Sequence, residues 1–263
     1  GLYAAEQTGA ADDGMRLKEE FLTVLSHELR SPLHSILGNA DILAESLEPS
    51  PDTFAKESVV RLRAGAFRLL HLIEEMLCFA ELRAGRATVV AETVDLQELC
   101  ENFSSMMTDE LGGRPIRFEC TVEENVRIVQ TDLRKLRLII NALLSNAAKF
   151  THQGFVRLSA RRTGQHIEIA VQDSGIGIDA RDLGPIFQEF RQLDGSLTRR
   201  YDGLGLGLAL AQQLAAVLGG RIDVESVPNR GSSFFIRLPS KQLAVVTRVV
   251  PPVVQEQALR AAS

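Results

Sequence analysis

A change of apolar period near residue 86 constrains this chain more than any other feature, because it divides one sequence between two incompatible packing modes. Before it, Leu22, Leu25, Leu29, Leu33, Ile36, Ala40, Leu43 and Leu47 recur at alternating steps of three and four. That is the stripe of a bundle or coiled-coil helix. Pro32 removes one backbone donor within the run and predicts a kink. The stretch Glu48, Pro49, Ser50, Pro51 and Asp52 ends the helix. A second stripe follows at Val59, Leu62, Ala66, Leu69, Ile73, Met76 and Ala80, and stops near Gly85. Two long helices joined by a short Pro-rich turn predict an antiparallel hairpin. One hairpin encloses too little volume for so many apolar residues, so a homodimer with a four-helix bundle is expected.

After residue 86 the pattern becomes short alternating runs between amphipathic segments. Strands are predicted at 88–93, 116–122, 127–130, 155–161, 166–172, 221–226 and 233–238, and helices at 96–111, 132–150 and 205–218. In the run at 166–172, Ile167, Ile169 and Val171 share one face, while His166, Glu168 and Gln172 share the other. That alternation is the signature of a half-buried strand. The second half therefore reads as an α/β sandwich with helices on one face of a sheet. The expected organisation is a linker at 1–14, a helical hairpin at 15–86, the sandwich at 87–240 and a C-terminal linker at 241–263, with Pro251 and Pro252, leading toward a further domain.

Composition narrows the function classes. The net charge of −5 argues against a broad basic footprint for nucleic acid. Three cysteines, Cys78, Cys100 and Cys120, are too few and too scattered for a disulfide framework or a zinc pattern. They read as buried small apolar residues, which suits a reducing cytoplasm. No apolar run reaches the ~18 to 20 residues of a membrane helix, and Gly1 opens neither a basic nor an apolar leader. The expectation is an excised soluble, cytoplasmic piece, with any sensor or membrane anchor lying before it.

Chemistry enters at His27. With Leu22 and Leu29 at the seam, His27 falls at the heptad position farthest from it and faces water. Glu28 follows directly, Arg30 adds a cation, and Pro32 bends the helix one turn on. A neutral ring nitrogen held by a carboxylate is a nucleophile for phosphorus.

The run Phe21-Leu22-Thr23-Val24-Leu25-Ser26-His27-Glu28-Leu29-Arg30-Ser31-Pro32-Leu33 resembles the H box of sensor histidine kinases of two-component systems. Four further segments resemble that family in the same order. Asn146-Ala147-Ala148-Lys149-Phe150-Thr151 resembles the N box, and Asp173-Ser174-Gly175-Ile176-Gly177-Ile178 the G1 box. Ile186-Phe187-Gln188-Glu189-Phe190 resembles the F box, and Asp202-Gly203-Leu204-Gly205-Leu206-Gly207-Leu208 the G2 box. The resemblance implies a gyrase-type (Bergerat-type) ATP fold, a dimer, and phosphotransfer to an Asp of a response-regulator receiver domain.

By resemblance His27 is the phospho-acceptor and Glu28 its general base, while Ser31 positions water for a reverse dephosphorylation. Asn146 is a hard oxygen ligand for Mg²⁺, Lys149 a point charge for phosphate, and Phe150 an apolar face for adenine. Asp173 accepts from the adenine amine. Gly175 and Gly177 leave room where backbone approaches closely. Arg199 and Arg200 are lid cations, and Phe187 and Phe190 pack the base of the lid. Gly203, Gly205 and Gly207 open a helix whose N-terminus receives phosphate. The segment has no Lys-Ser/Thr of a Walker loop and no strand leading straight into it, as a dinucleotide fingerprint requires.

The chain departs from the family at several positions. Ala142 stands where a second Asn is common, with Asn141 adjacent; Asp202 replaces a glycine, Leu204 a hydroxyl residue, and Gln192 a lid Arg. These departures motivate an alternative, a degenerate kinase-like module acting through protein interaction. A gyrase-like or chaperone-like ATPase is a third reading, opposed by the H box.

Overall fold

The computed structural model describes residues 32, 34–36, 38, 39, 42, 43, 52–83, 87–190 and 205–240. Among them, residues up to Leu77 and residues from Cys78 onward form two compact units.

In the first unit, Pro32, His34, Ser35, Ile36, Gly38, Asn39, Ile42 and Leu43 are helical, and α1 (Asp52–Arg83) supplies a second, 32-residue helix. Gly65 marks their close approach. A Cβ there would lie 3.1 Å from Ile36 Cγ1 and 3.4 Å from the Pro32 carbonyl. Buried Asn39 satisfies its amide inside its own helix, donating to the Ser35 carbonyl at 2.7 Å.

The second unit starts with the last turns of α1, where Cys78 and Leu82 are buried in its core. Next come β1 (Glu92–Asp95), α2 (Leu96–Leu111), β2 (Ile116–Val122), β3 (Ile128–Thr131) and α3 (Leu133–Phe150). β4 (Gly154–Thr163), β5 (His166–Asp173), α4 (Gly207–Val217), β6 (Arg221–Val227) and β7 (Gly231–Pro239) follow. Strands β2-β4-β5-β7-β6 form one sheet, parallel only between β2 and β4, while β1 and β3 pair as a separate antiparallel ribbon. Three helices pack against the large sheet. Leu136, Ile139, Ile140, Leu143 and Leu144 of α3 meet Leu214 of α4, Met107 of α2 and Val156, Ile169 and Ile236 of the sheet in one buried cluster.

Local chemistry sets the helix ends. Asp95 caps α2 by accepting from the backbone of Gln97 at 2.8 Å and Glu98 at 3.3 Å, and Gly112 ends the helix in the left-handed region at φ 51°. Asp132 caps α3 through the Lys135 N–H at 3.0 Å. The same carboxylate binds Lys135 Nζ at 2.8 Å and the Val90 N–H at 3.0 Å, with both side chains almost wholly buried.

Three sequence expectations need amendment. The first predicted strand, 88–93, is displaced. Ladder pairing begins at Glu92, because the Val90 N–H is taken by the Asp132 carboxylate and Ala87 and Val89 bury their side chains without a partner strand. The outer face of β5 is also less open than alternation implies. Glu168 is only 2% exposed, covered by Arg161 and Arg237, whose guanidinium groups donate to it at 2.6–2.9 Å. Finally, Cys100 and Cys120 are joined as a disulfide with Cα atoms 6.1 Å apart, which corrects the reading of all three cysteines as isolated apolar residues. Residues 112–115 turn the chain so that β2 runs back along α2 and brings the two thiols together. The cysteines therefore lend no support to a reducing compartment. Cys78 alone is free, and burial pushes its thiol up to about 11.

Candidate functional site

Four backbone segments converge at one end of the second unit. The last turn of α3 carries Asn146, Lys149 and Phe150, all half-buried. The end of β5 carries Asp173. The loop after it holds Gly175, Ile176 and Gly177, and the start of α4 holds Gly205 and Gly207.

Hydrogen bonds tie the end of α3 and the loop after β5 to each other and to the β6–β7 turn. The Ile176 N–H donates to the Phe150 carbonyl at 3.3 Å, and a Cβ on Gly175 would come within 2.4 Å of that same oxygen. The Asn229 N–H donates to the Ile176 carbonyl at 2.6 Å, and the Ile178 N–H to Ser226 Oγ at 2.8 Å. Gly177 has φ 67°, and a Cβ there would lie 2.1 Å from the Val227 carbonyl. The loop after β5 is thus closed between the end of α3 and the β6–β7 turn, at a separation only glycine permits.

Asp173 is 9% exposed and accepts two backbone N–H groups at Oδ1, from Gly175 at 2.8 Å and Ser232 at 3.3 Å. Its Oδ2 has no partner among the described residues. Burial raises its carboxyl above the ordinary range, with the two N–H groups opposing that shift. On this largely buried side chain, an oxygen left without a donor suits an amine hydrogen such as the exocyclic N–H of adenine. Ile176, 41% exposed, adds apolar surface to the same loop.

The N-terminus of α4 complements this. Leu206 occupies the cap position without a side-chain cap hydrogen bond, so the first N–H groups of the helix lack the usual oxygen. Gly205 has φ 65°. Gly207 packs against Ala142 of α3, whose Cβ lies 3.6 Å from the position a Gly207 Cβ would occupy. An uncapped helix start packed on the helix that ends in Lys149 is a candidate seat for phosphate. Lys149 Nζ lies 5.2 Å from the centroid of the Phe150 ring. The Asn146 amide, a neutral oxygen ligand suited to Mg²⁺, has no hydrogen-bond partner among the described residues, where no cluster of three His, Cys, Asp or Glu side chains forms a metal cage. A single amide oxygen fits an ion that keeps waters and phosphate oxygens as its other ligands.

Phe187 meets Phe234 edge to face at 6.5 Å, and Phe190 meets Phe79 edge to face at 6.4 Å. The Phe190 N–H closes the neck between 190 and 205 by donating to the Gly205 carbonyl at 3.1 Å.

The described residues therefore bring the turn carrying Asn146, Lys149 and Phe150 against the loop of Asp173, Gly175 and Gly177, while Gly207 packs on the same helix at Ala142 and Gly205 bonds to Phe190. His27, Glu28, Ser31, Arg199, Arg200 and Gly203 lie outside the described residues. Sequence reading missed Gly231 and Ser232. Gly231 has φ 100°, and a Cβ there would lie 1.9 Å from the Asp173 carbonyl. Gly231 lies between the strands predicted at 221–226 and 233–238, and its contact with Asp173 spans 58 residues of sequence.

Comparison with known proteins agrees with this fold. Residues 17–85 match the family described as His Kinase A (phospho-acceptor) domain, and residues 131–242 that described as Histidine kinase-, DNA gyrase B-, and HSP90-like ATPase. The chain belongs to the sensor histidine kinases. It is 35% identical over 94% of its length to the sensor protein TorS of Escherichia coli strain K12, and covers 26% of that protein. It is 35% identical over 86% of its length to the circadian input-output histidine kinase CikA of Synechococcus elongatus, covering 30% of it. Among solved structures, full-length ShkA in complex with AMPPNP is similar at 27% identity and a TM-score of 0.60, over 88% of this chain and 47% of that one. The chain thus spans about a quarter to a third of the length of these two curated relatives. No helix among the described residues is long and apolar enough to cross a membrane.

Proposed function

We propose that this chain is the catalytic core of a sensor histidine kinase that phosphorylates His27 from Mg-ATP and passes the phosphoryl group to an aspartate of a response-regulator receiver domain. The observation that carries the reading is the Asp173 carboxylate with its free Oδ2, on a loop closed against the turn that carries Asn146 and Lys149, with the uncapped start of α4 packed on the same helix at Ala142. These supply an adenine acceptor, a metal ligand and a phosphate seat in one place.

Asp173 Oδ2 accepts the adenine amine hydrogen, and Phe150 and Ile176 flank the base. Lys149 and the first N–H groups of α4, reached over Gly203, Gly205 and Gly207, hold the phosphates, with Arg199 and Arg200 completing the cation set. Asn146 would hold Mg²⁺, which would offset charge on the phosphates. Glu28 takes the ring proton as the neutral His27 nitrogen forms the N–P bond and the bond from γ-phosphorus to the bridging oxygen breaks, leaving ADP. Receiver docking would occur on the hairpin, which forms a four-helix bundle with a second copy. Ser31 would position water for dephosphorylation of the receiver. The reaction belongs in the cytoplasm, where ATP is available, whether or not a membrane anchor lies elsewhere in the full protein.

The test is incubation of the chain with Mg²⁺ and γ-labelled ATP beside His27→Gln. Acid-labile label on the wild type and none on the variant is expected. Folded, dimeric wild type that takes up no label would overturn the reading.

A further inference from the structure

The turn that carries Asn146, Lys149 and Phe150 is held from outside the nucleotide site by a single side chain. Arg114 lies between α2 and β2, beyond the glycines that end α2. Its Nη1 donates to the Ala148 carbonyl at 2.8 Å and, at a longer 3.5 Å, to that of Thr151. Its Nε donates to the Leu111 carbonyl at 3.2 Å, and Nη2 reaches that of Glu110 at 3.5 Å. One guanidinium therefore bridges the C-terminal ends of α2 and α3. The last carbonyls of a helix have no intrahelical donor, and the negative end of the helix dipole favours a cation there. The planar, permanently charged fork of arginine reaches several carbonyls at once from separate nitrogens, whereas lysine offers its three donors from a single flexible nitrogen.

The position of these contacts suggests more than a helix cap. In the last turn of α3, the Ala147 carbonyl is taken by the Thr151 N–H at 3.1 Å and that of Phe150 by the Ile176 N–H at 3.3 Å. Between them Arg114 takes the carbonyl of Ala148, beside Lys149 and two residues from Asn146. Its own backbone is anchored, with its N–H on the Leu111 carbonyl at 2.9 Å and its carbonyl accepting the Ile116 N–H at 2.7 Å. Without the guanidinium, Ala148 and Thr151 would turn to water and the final turn would fray. Asn146, Lys149 and Phe150 would then be ordered only when nucleotide binds, at a cost in affinity.

We infer that Arg114 is a positioning residue for the nucleotide and metal site, acting through the carbonyls of Ala148 and Thr151 without touching ligand. This rests on the ATP-binding reading proposed above. The expected signature is a loss of nucleotide affinity with turnover at saturating ATP retained, because the reacting groups are unchanged once the turn is ordered.

The test compares the wild-type chain with Arg114→Ala and Arg114→Lys by Mg-ATP calorimetry, by KM and kcat for self-phosphorylation, and by amide exchange of residues 146–152. Arg114→Ala should weaken Mg-ATP binding and raise KM by about five- to tenfold, with kcat within about twofold. Exchange should rise at 146–152 and stay unchanged at 136–143. Arg114→Lys, which retains one charged donor, should recover part of the affinity and serves as the test if the alanine variant does not fold. Unchanged affinity in either folded variant, or a fall in kcat at constant KM, would overturn the inference. A wild-type chain that binds no Mg-ATP would overturn the ATP-binding reading and this inference with it, an outcome distinct from equal binding by wild type and variants.

Discussion

Asp173 shows how one side chain sets fold stability against function. Its burial raises the carboxyl, so the folded protein holds the charged form at a cost that two backbone N–H groups only partly offset. For a carboxyl raised in the folded state, the favourable contribution is fully present below the unfolded pKa and is lost as pH rises through the folded one. Asp173→Asn keeps an oxygen for Gly175 and Ser232 and removes the charge. It should raise the melting temperature of nucleotide-free protein at pH 7, an advantage that shrinks toward zero below the ordinary carboxylate range. The same variant should bind Mg-ATP at least about tenfold more weakly, since its amide also presents donors to the adenine amine. Thermal melts across pH and calorimetry check both halves. That Asp173 would follow a strand and precede two glycines was legible in the sequence. That Ser232 and Gly231 would close over it was not, because the pairing of β5 with β7 brings them there.

Helix α3 is positioned by its two ends. At the start, Asp132 caps the helix and pairs with buried Lys135. Burial opposes the Asp132 charge, but the Lys135 ammonium and the N–H groups of Val90 and Lys135 outweigh it and hold the carboxyl below its usual value. The resulting stability is present above the ordinary carboxylate range and lost as pH falls through the lowered folded pKa. Asp132→Ala removes the cap and strands a buried ammonium, so a loss of about 3–5 kcal/mol is expected in urea unfolding at pH 7, narrowing in acid. The extent of α3 was readable, as its apolar stripe and capping Asp announce it. The fifth strand was read with the right faces, yet Glu168 is buried on the face expected to be open. Alternation reports what a strand prefers, while the arginines of β4 and β7 decide what covers it. Helix α2 and strand β2 were each legible too, but not the disulfide between them, since pairing of cysteines depends on where the intervening turn sends the chain.

At the level of the whole molecule, the compact ATP-binding unit begins inside α1. Cys78 and Leu82 are buried in its core, Arg83 pairs with Glu189, and Phe79 meets Phe190. A fragment starting at residue 87 should therefore melt lower than one starting at residue 78. Burial of one Leu and one Cys side chain at this scale is about 3 kcal/mol, or roughly 6–12 °C for a unit of this size. Scanning calorimetry of the two fragments, each ending at residue 240, checks the difference, and equal melting would show that the end of α1 adds nothing to the unit.

Periodicity alone separated a helical first half from an α/β second half, and motif order alone pointed to nucleotide chemistry, because both are local properties of consecutive residues. Apolar spacing follows from the geometry of a helix or strand, and glycine or asparagine at a given place reflects a local backbone or ligand need. Tertiary structure decided the rest: which carbonyls Arg114 caps, which glycine lies against Asp173, which thiols meet, and where the ATP-binding unit begins. These depend on contacts between residues tens of positions apart, whose closeness results from sheet order and helix packing and leaves no mark in either segment read by itself.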